Sequence, residues 1–157
     1  MGKEETNRIL EVLTKQNIPF KHTTHESVYT SQQASNIRKS PLHNGVKAMV
    51  LETERGVIVS LIASDLKVDI KKLKQIMGFK KIKIASPQTV MEKTNCEPGS
   101  IPPFGYPQPL PTYIDESVFD HEQADFNIGQ TTESIHIQTS DLRKILPQKL
   151  LKIAKEE

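Results

Sequence analysis

Two apolar runs constrain this chain more than any other feature: Val46-Lys47-Ala48-Met49-Val50-Leu51 and Val57-Ile58-Val59-Ser60-Leu61-Ile62, parted only by Glu52-Thr53-Glu54-Arg55-Gly56. Arg55-Gly56 supplies a turn, so the pair reads as a β-hairpin. Its apolar content is nearly continuous rather than alternating, which predicts burial on both faces. Lys47 puts one ammonium group into that pattern. A lysine there must snorkel, pair or serve chemistry, unless it guards an edge strand against aggregation.

Around the hairpin the chain alternates helices with short strands. Ile9, Leu10, Val12 and Leu13 form an apolar stripe on a helix over about residues 4–16. Pro19 opens an extended segment ending near His25. Thr30 with Gln33 is a capping-box pattern, predicting a short helix from Ser31 to about Arg38. Asp69 caps a further helix that carries Ile70, Leu73, Ile76 and Met77 on one face and ends at Gly78. Lys81-Ile82-Lys83-Ile84 alternates as a half-exposed strand, and Ser86-Pro87 starts a helix running to about Thr94. Strands near Thr112–Asp115, Asp125–Ile128 and Ser134–Gln138 precede a C-terminal helix beginning near Ser140 or Asp141. Pro147 should kink or break that helix.

The expected fold class is α+β, a mixed, mostly antiparallel sheet surrounded by helices. With 157 residues the chain fits one domain over residues 1–157. The stretch from Glu97 to Pro111 holds six prolines and two glycines and forms no regular element. A loop of this length in a small domain is functional or disordered. Ile101, Phe104 and Leu110 argue for order, and the glycines and prolines of Gly99–Gly105 fix a path suited to wrapping a small ligand.

A single cysteine, Cys96, excludes an internal disulfide framework and a cysteine-based zinc site. Met1–Glu5 leads straight into an amphipathic pattern, so no signal peptide is expected. The stretch Val57 to Ala63 is too short to span a bilayer, which leaves a soluble, cytoplasmic protein with no membrane partner as the expectation. A formal net charge of +2 is too small to indicate nucleic-acid binding, but its distribution is uneven. Seven lysines lie between Lys67 and Lys83 against the single acid Asp69, and Arg143, Lys144, Lys149, Lys152 and Lys155 crowd the C-terminal stretch. Such clusters track a phosphate backbone without reading sequence, or form a merely solvated face.

Familiar catalytic patterns are missing: no G-x-S-x-G, H-E-x-x-H, paired C-x-x-C or phosphate-binding G-x-x-x-x-G-K-[ST] occurs. His22 and His25 fall on an extended segment, where residues three apart point to opposite faces, so no metal site is expected from them. His136 alternates with Ile135 and Ile137 and stands on the other face of its strand. Cys96 has no histidine or basic residue at a telling spacing and reads as a spectator.

Three signals in order, Lys47 before Ala48-Met49-Val50-Leu51, the segment Gly99-Ser100-Ile101-Pro102-Pro103-Phe104-Gly105, and the stretch Asp115 to Leu142, resemble the YbaK/ProX family. These are free-standing relatives of the editing domain inserted in bacterial prolyl-tRNA synthetases. The entry segment His25-x-x-x-Tyr29-Thr30-Ser31-Gln32-Gln33-Ala34 is similar to that family's signature, and the resemblance covers nearly the whole chain. It implies a trans-editing hydrolase that cleaves the ester of mischarged aminoacyl-tRNA with no cofactor and with help from the substrate's own vicinal hydroxyl.

On that resemblance Lys47, Gly99, Ser100 and Gly129 carry catalysis, with backbone N–H groups at Gly99-Ser100 and Gly129 as oxyanion donors. His25, Tyr29, Thr30, Pro103, Phe104, Gly105, Asn127 and His136 are the substrate-binding set, and Lys71, Lys72, Lys74, Lys80 and Lys81 meet the tRNA. Aminoacyl-tRNA is the implied partner, with an aminoacyl-tRNA synthetase as a further one and no DNA. A non-catalytic tRNA- or synthetase-binding adaptor of the same fold is the alternative. The chain departs from the family at Asn127-Ile128-Gly129, where alanine-specific members have a histidine-proline pair, and over Asn127 to Thr131, where cysteine-specific ones have a serine-alanine-glycine-arginine-arginine turn. Neither specificity carries over.

Overall fold

The computed structural model describes residues 1–157. In chain order it contains α1 (Lys3–Lys15), β1 (Phe20–Thr24), α2 (Ser31–Arg38), β2 (Val46–Thr53), β3 (Gly56–Ala63), β4 (Leu66–Val68), α3 (Ile70–Met77), β5 (Ile82–Ile84) and α4 (Pro87–Thr94). Then follow β6 (Thr112–Asp115), β7 (Gln123–Asn127), β8 (Glu133–Gln138), α5 (Thr139–Ile145), β9 (Leu150–Leu151) and β10 (Ala154–Glu156), with single 3-10 turns at Leu42–Asn44 and Glu116–Phe119. None of the helices is long and apolar enough to cross a membrane.

The capping residues set the helix starts. Thr30 accepts from the Gln33 N–H, Asp69 from the Lys72 N–H and Ser86 from the Thr89 N–H. Gly78 ends α3 in the left-handed conformation at φ 72°. The hairpin pairs Val46 with Ala63 through to Thr53 with Gly56. It forms the centre of a five-stranded sheet ordered β5-β2-β3-β6-β9, in which β6 runs parallel to both β3 and β9.

The expected single sheet is divided. A three-stranded antiparallel sheet, β1-β8-β7, stands apart and touches the larger one through a bridge between Gly45 and Asp125. A small ribbon pairs β10 with β4. Pro147 ends α5 instead of kinking it, and the chain then returns as β9 and β10. Burial on both hairpin faces holds for Ile58–Ala63 of β3, whereas Lys47, Ala48 and Met49 of β2 are only half-buried because an open cavity lies against them.

The larger core lies between the two main sheets and takes in Ile9 and Leu13 of α1, Val50, Leu61, Phe126, Ile135 and Leu142. A smaller core on the other side of the five-stranded sheet packs Leu51 and Ile58 under Leu73, Phe79 and Ile153. Even strand residues of β3 therefore face one core and odd ones the other, as the two-residue period requires. The proline-rich loop is ordered, burying Ser100, Pro102 and Pro103.

Candidate active site

Between the apolar face of β2, α2, α4, the start of the proline-rich loop and the end of β7 opens a cavity of about 540 Å³. Val46, Ala48, Val50, Ala85, Val90 and Ile101 give it apolar walls, while Arg38, Lys47, Asn127, Thr30, Ser31 and Ser64 supply the polar groups. That size and mixture suit a small organic ligand.

A chain of hydrogen bonds fixes the polar wall. Arg38, in the last turn of α2, donates from Nε to Ser134 Oγ at 3.0 Å and from a terminal nitrogen to Asn127 Oδ1. Asn127 Nδ2 in turn donates to the Gly99 carbonyl at 2.6 Å, tying β7 to the loop. Ser134 also meets His25 Nε2 at 2.7 Å. Burial pulls the pKa of the Arg38 guanidinium down, and the nearby Asp125 charge works in the opposite direction. Asp125 itself is occupied by His136 Nδ1 at 2.5 Å and by the Ser40 hydroxyl at 2.5 Å.

Lys47 sits where this cavity meets a smaller apolar groove of about 130 Å³ lined by Met49, Leu51, Ile62, Val68 and Ile70. Its ammonium donates to the Leu66 carbonyl at 2.6 Å and lies 3.4 Å from a Glu157 carboxylate oxygen. The side chain is 21% exposed, so the ammonium is held at a rim and not sunk in the core. Of the four readings open to a lysine in an apolar strand, snorkelling and pairing are both visible here.

The structure brings Tyr29, Thr30, Lys47, Gly99 and Asn127 of the sequence-derived site to the cavity. Gly99 holds φ at 94°, and a Cβ there would come within 3.0 Å of the Tyr29 carbonyl, so glycine is what allows the loop to close on the segment before α2. The Gly99 N–H makes no hydrogen bond within the protein, leaving it as a donor that the loop offers at the cavity.

Other expected positions lie elsewhere. The Ser100 N–H is bonded to the Glu97 carbonyl, and the Gly129 N–H to the Ser100 carbonyl, both donors thus being taken. Neither is an oxyanion donor in this arrangement. Gly129, at φ 108°, packs on the Gly2 carbonyl beneath α1. Pro103 is buried, Phe104 packs edge-on to Phe126, and Gly105 lies against Ile9 while its carbonyl accepts from Arg8 at 2.5 Å. None of these three residues lines the cavity, and Gly105 packs on α1 instead. His25 and His136 stand behind the polar wall, bonded to Ser134 and Asp125.

His22 pairs with Glu133 at 2.9 Å and His25 with Ser134, so the two histidines have separate partners. Cys96 is fully buried, and burial together with Glu5 pushes its thiol up to about 12. That suits a spectator. Arg38 is the charged cavity residue that sequence reasoning missed. Nothing in Asn36-Ile37-Arg38-Lys39 marks it, because its partners Ser134 and Asn127 are distant in the chain and meet it only through the β7–β8 pairing.

The five expected tRNA-contacting lysines lie on α3 and the approach to β5. Lys71, Lys72, Lys80 and Lys81 are exposed, Lys74 is half-buried, and none of the five forms an ion pair. The same elements supply Ile70 and Ile84 to the small groove, which Lys47 and Lys67 also line.

An α+β domain with a cation-rimmed cavity, a glycine loop at its mouth and no nucleophile–base pair in its lining is the class of protein these features define. The family model described as an aminoacyl-tRNA editing domain matches residues 25–145. The chain belongs to that family. It is 30% identical, over 96% of its length and 93% of the relative's, to an Escherichia coli K12 protein named multifunctional Ser/Thr-tRNA deacylase ProXp-y. A proline–tRNA ligase of Xanthomonas campestris is 24% identical over 76% of this chain but only 21% of the ligase. Among solved structures, a protein described as a trans-editing enzyme for prolyl tRNA synthetase superposes with a TM-score of 0.83 at 20% identity, covering 96% of this chain and 97% of that one.

Proposed function

We propose that this protein is a trans-editing hydrolase that removes wrongly attached amino acids from tRNA in the cytoplasm. The observation that carries this, in a chain of the editing family, is the meeting of Lys47, the Gly99 loop and Asn127 on one cavity of about 540 Å³. An aminoacyl ester is already activated, so positioning and stabilisation of the developing oxyanion suffice and no strong protein nucleophile is needed. Water adds to the ester carbonyl, aided by the vicinal ribose hydroxyl. The carbonyl–ribose oxygen bond then breaks, and the departing oxygen takes a proton to leave a free amino acid and an uncharged tRNA end.

In this scheme the free Gly99 N–H points its partial charge at the forming oxyanion. Asn127 holds the Gly99 carbonyl at 2.6 Å and so keeps the loop in place. The Lys47 ammonium binds the terminal ribose or phosphate, or polarises the carbonyl. The relative named for Ser/Thr-tRNA supports small hydroxylated side chains as the edited group, and the synthetase-linked relatives support recruitment beside prolyl-tRNA synthetase. A deacylation screen over mischarged tRNAs tests the proposal: seryl- and threonyl-esters should be cleaved faster than bulky aliphatic ones. Protein that binds tRNA yet leaves every ester intact would replace the enzyme with an adaptor.

A further inference from the structure

The lining of the main cavity contains two cations, Arg38 and Lys47, and no carboxylate. An aminoacyl ester carries its own positive charge whenever its α-nitrogen is protonated. A carboxylate is the strongest partner such an ammonium can have, and the lining offers none. Asp125 stands behind Arg38 with its oxygens bonded to His136 and Ser40, and Glu157 lies beyond Lys47, 60% exposed at its side chain. Lys67 adds a further cation on the neighbouring groove. Two acceptors of the polar wall already serve the protein, Asn127 Oδ1 accepting from Arg38 and the Gly99 carbonyl from Asn127. Arg38 keeps one terminal nitrogen with no partner in the protein, so its remaining donor seeks an acceptor from the ligand.

We propose that the cavity takes the ester with its α-nitrogen uncharged, and that N-acylated aminoacyl-tRNAs are therefore substrates alongside those with a free amine. An amide carbonyl on that nitrogen is the kind of acceptor Arg38 lacks. Ligand cavities of about 300–1,000 Å³ hold whole drug-sized molecules, so about 540 Å³ leaves room for an added acetyl group. The bond broken is the same. Water cleaves the ester between the carbonyl carbon and the ribose oxygen, the ribose oxygen takes the proton, and the amide is untouched. This inference rests on the deacylase function proposed above.

The test uses the full chain with seryl- and threonyl-tRNA, each with a free amine and after N-acetylation. Enzymatic kcat/KM is followed from about pH 6 to about pH 8.5, bracketing the α-amino titration near about 7.7–8.0 in peptides. The acetylated esters should be cleaved at all pH values. Their advantage over the free-amine esters should be largest at low pH, where most free substrate is ammonium, and should fall about 10-fold or more across the range. Arg38→Gln, if folded by circular dichroism, should shrink that advantage at low pH more than at high pH, a pattern that mere loosening of the wall would not give. Cleavage of free-amine esters with none of the acetylated ones overturns the inference and leaves the deacylase standing. So does a ratio independent of pH. Failure to cleave either series overturns the deacylase assignment and this inference with it.

Discussion

Lys47 and Arg38 show how differently two cations of one cavity can be written in a sequence. Lys47 was visible because an ammonium breaks an otherwise apolar run, and a buried charge always calls for a partner or a purpose. Its partner is the Leu66 carbonyl, which no local pattern announces. Arg38 ends a polar helix and looks like an ordinary last-turn basic residue; only the tertiary pairing that carries Asn127 and Ser134 to it reveals the buried network. Because the Lys47 side chain is at a rim, its removal leaves a carbonyl that water can reach and should spare the fold. Lys47→Ala is therefore expected to keep its circular dichroism and melting transition while losing about 100-fold or more in deacylation, about 3 kcal/mol of transition-state stabilisation. A folded variant with near wild-type turnover would remove Lys47 from the reaction.

Elements with their own start signals were legible. Thr30, Asp69 and Ser86 each cap the helix that the sequence assigns to them, since a cap is a contact between residues two or three apart. Elements defined by distant partners were not. The strands β4, β9 and β10 are two or three residues long, and β10 sets Lys155 directly opposite Lys67, a pairing that local propensity would never suggest. For the same reason the glycines of the proline-rich loop could be read as ligand-wrapping, while only the fold shows Gly99 at the cavity and Gly105 under α1. The helix α3 and strand β5 bring a prediction of their own. Lys71, Lys72 and Lys74 of α3 and Lys80 and Lys81 just before β5 have no ion-pair partners. If they meet phosphates, tRNA affinity should fall by about 0.7–0.9 log units per log unit of salt for each contact. Reversing Lys71, Lys72 and Lys80 to Glu should raise KM for aminoacyl-tRNA, flatten that slope and leave kcat nearly unchanged, because none of them lines the cavity. An unaltered salt slope would reduce them to a solvated face and move docking to the basic C-terminal stretch.

At the scale of the whole molecule, the cavity exists because two sheets share one core yet part around the proline-rich loop, and two weak acids stand at that loop, Cys96 just before it and Tyr106 within it. Cys96 is fully buried with Sγ donating to the Thr94 carbonyl, and the Tyr106 hydroxyl donates to the Pro102 carbonyl at 2.7 Å. Burial raises both pKa values, the thiol from about 9 to about 12 and the phenol upward from its ordinary value. The sign of the linkage follows. A group whose folded pKa is raised contributes its full stability below its unfolded value, and that contribution drains away as pH climbs toward the folded one. The protein should therefore hold a steady urea midpoint through neutral pH and lose stability above about pH 9, with thiol and phenol adding to one slope. The thiol should also resist alkylation at neutral pH in the folded state and react once urea exposes it. The variant Cys96→Ala, Tyr106→Phe removes both titrations, and its midpoint should decline less steeply above about pH 9 than that of the wild type. Equal slopes for the two proteins would mean that alkaline unfolding is driven from elsewhere and that neither the thiol nor the phenol sets it.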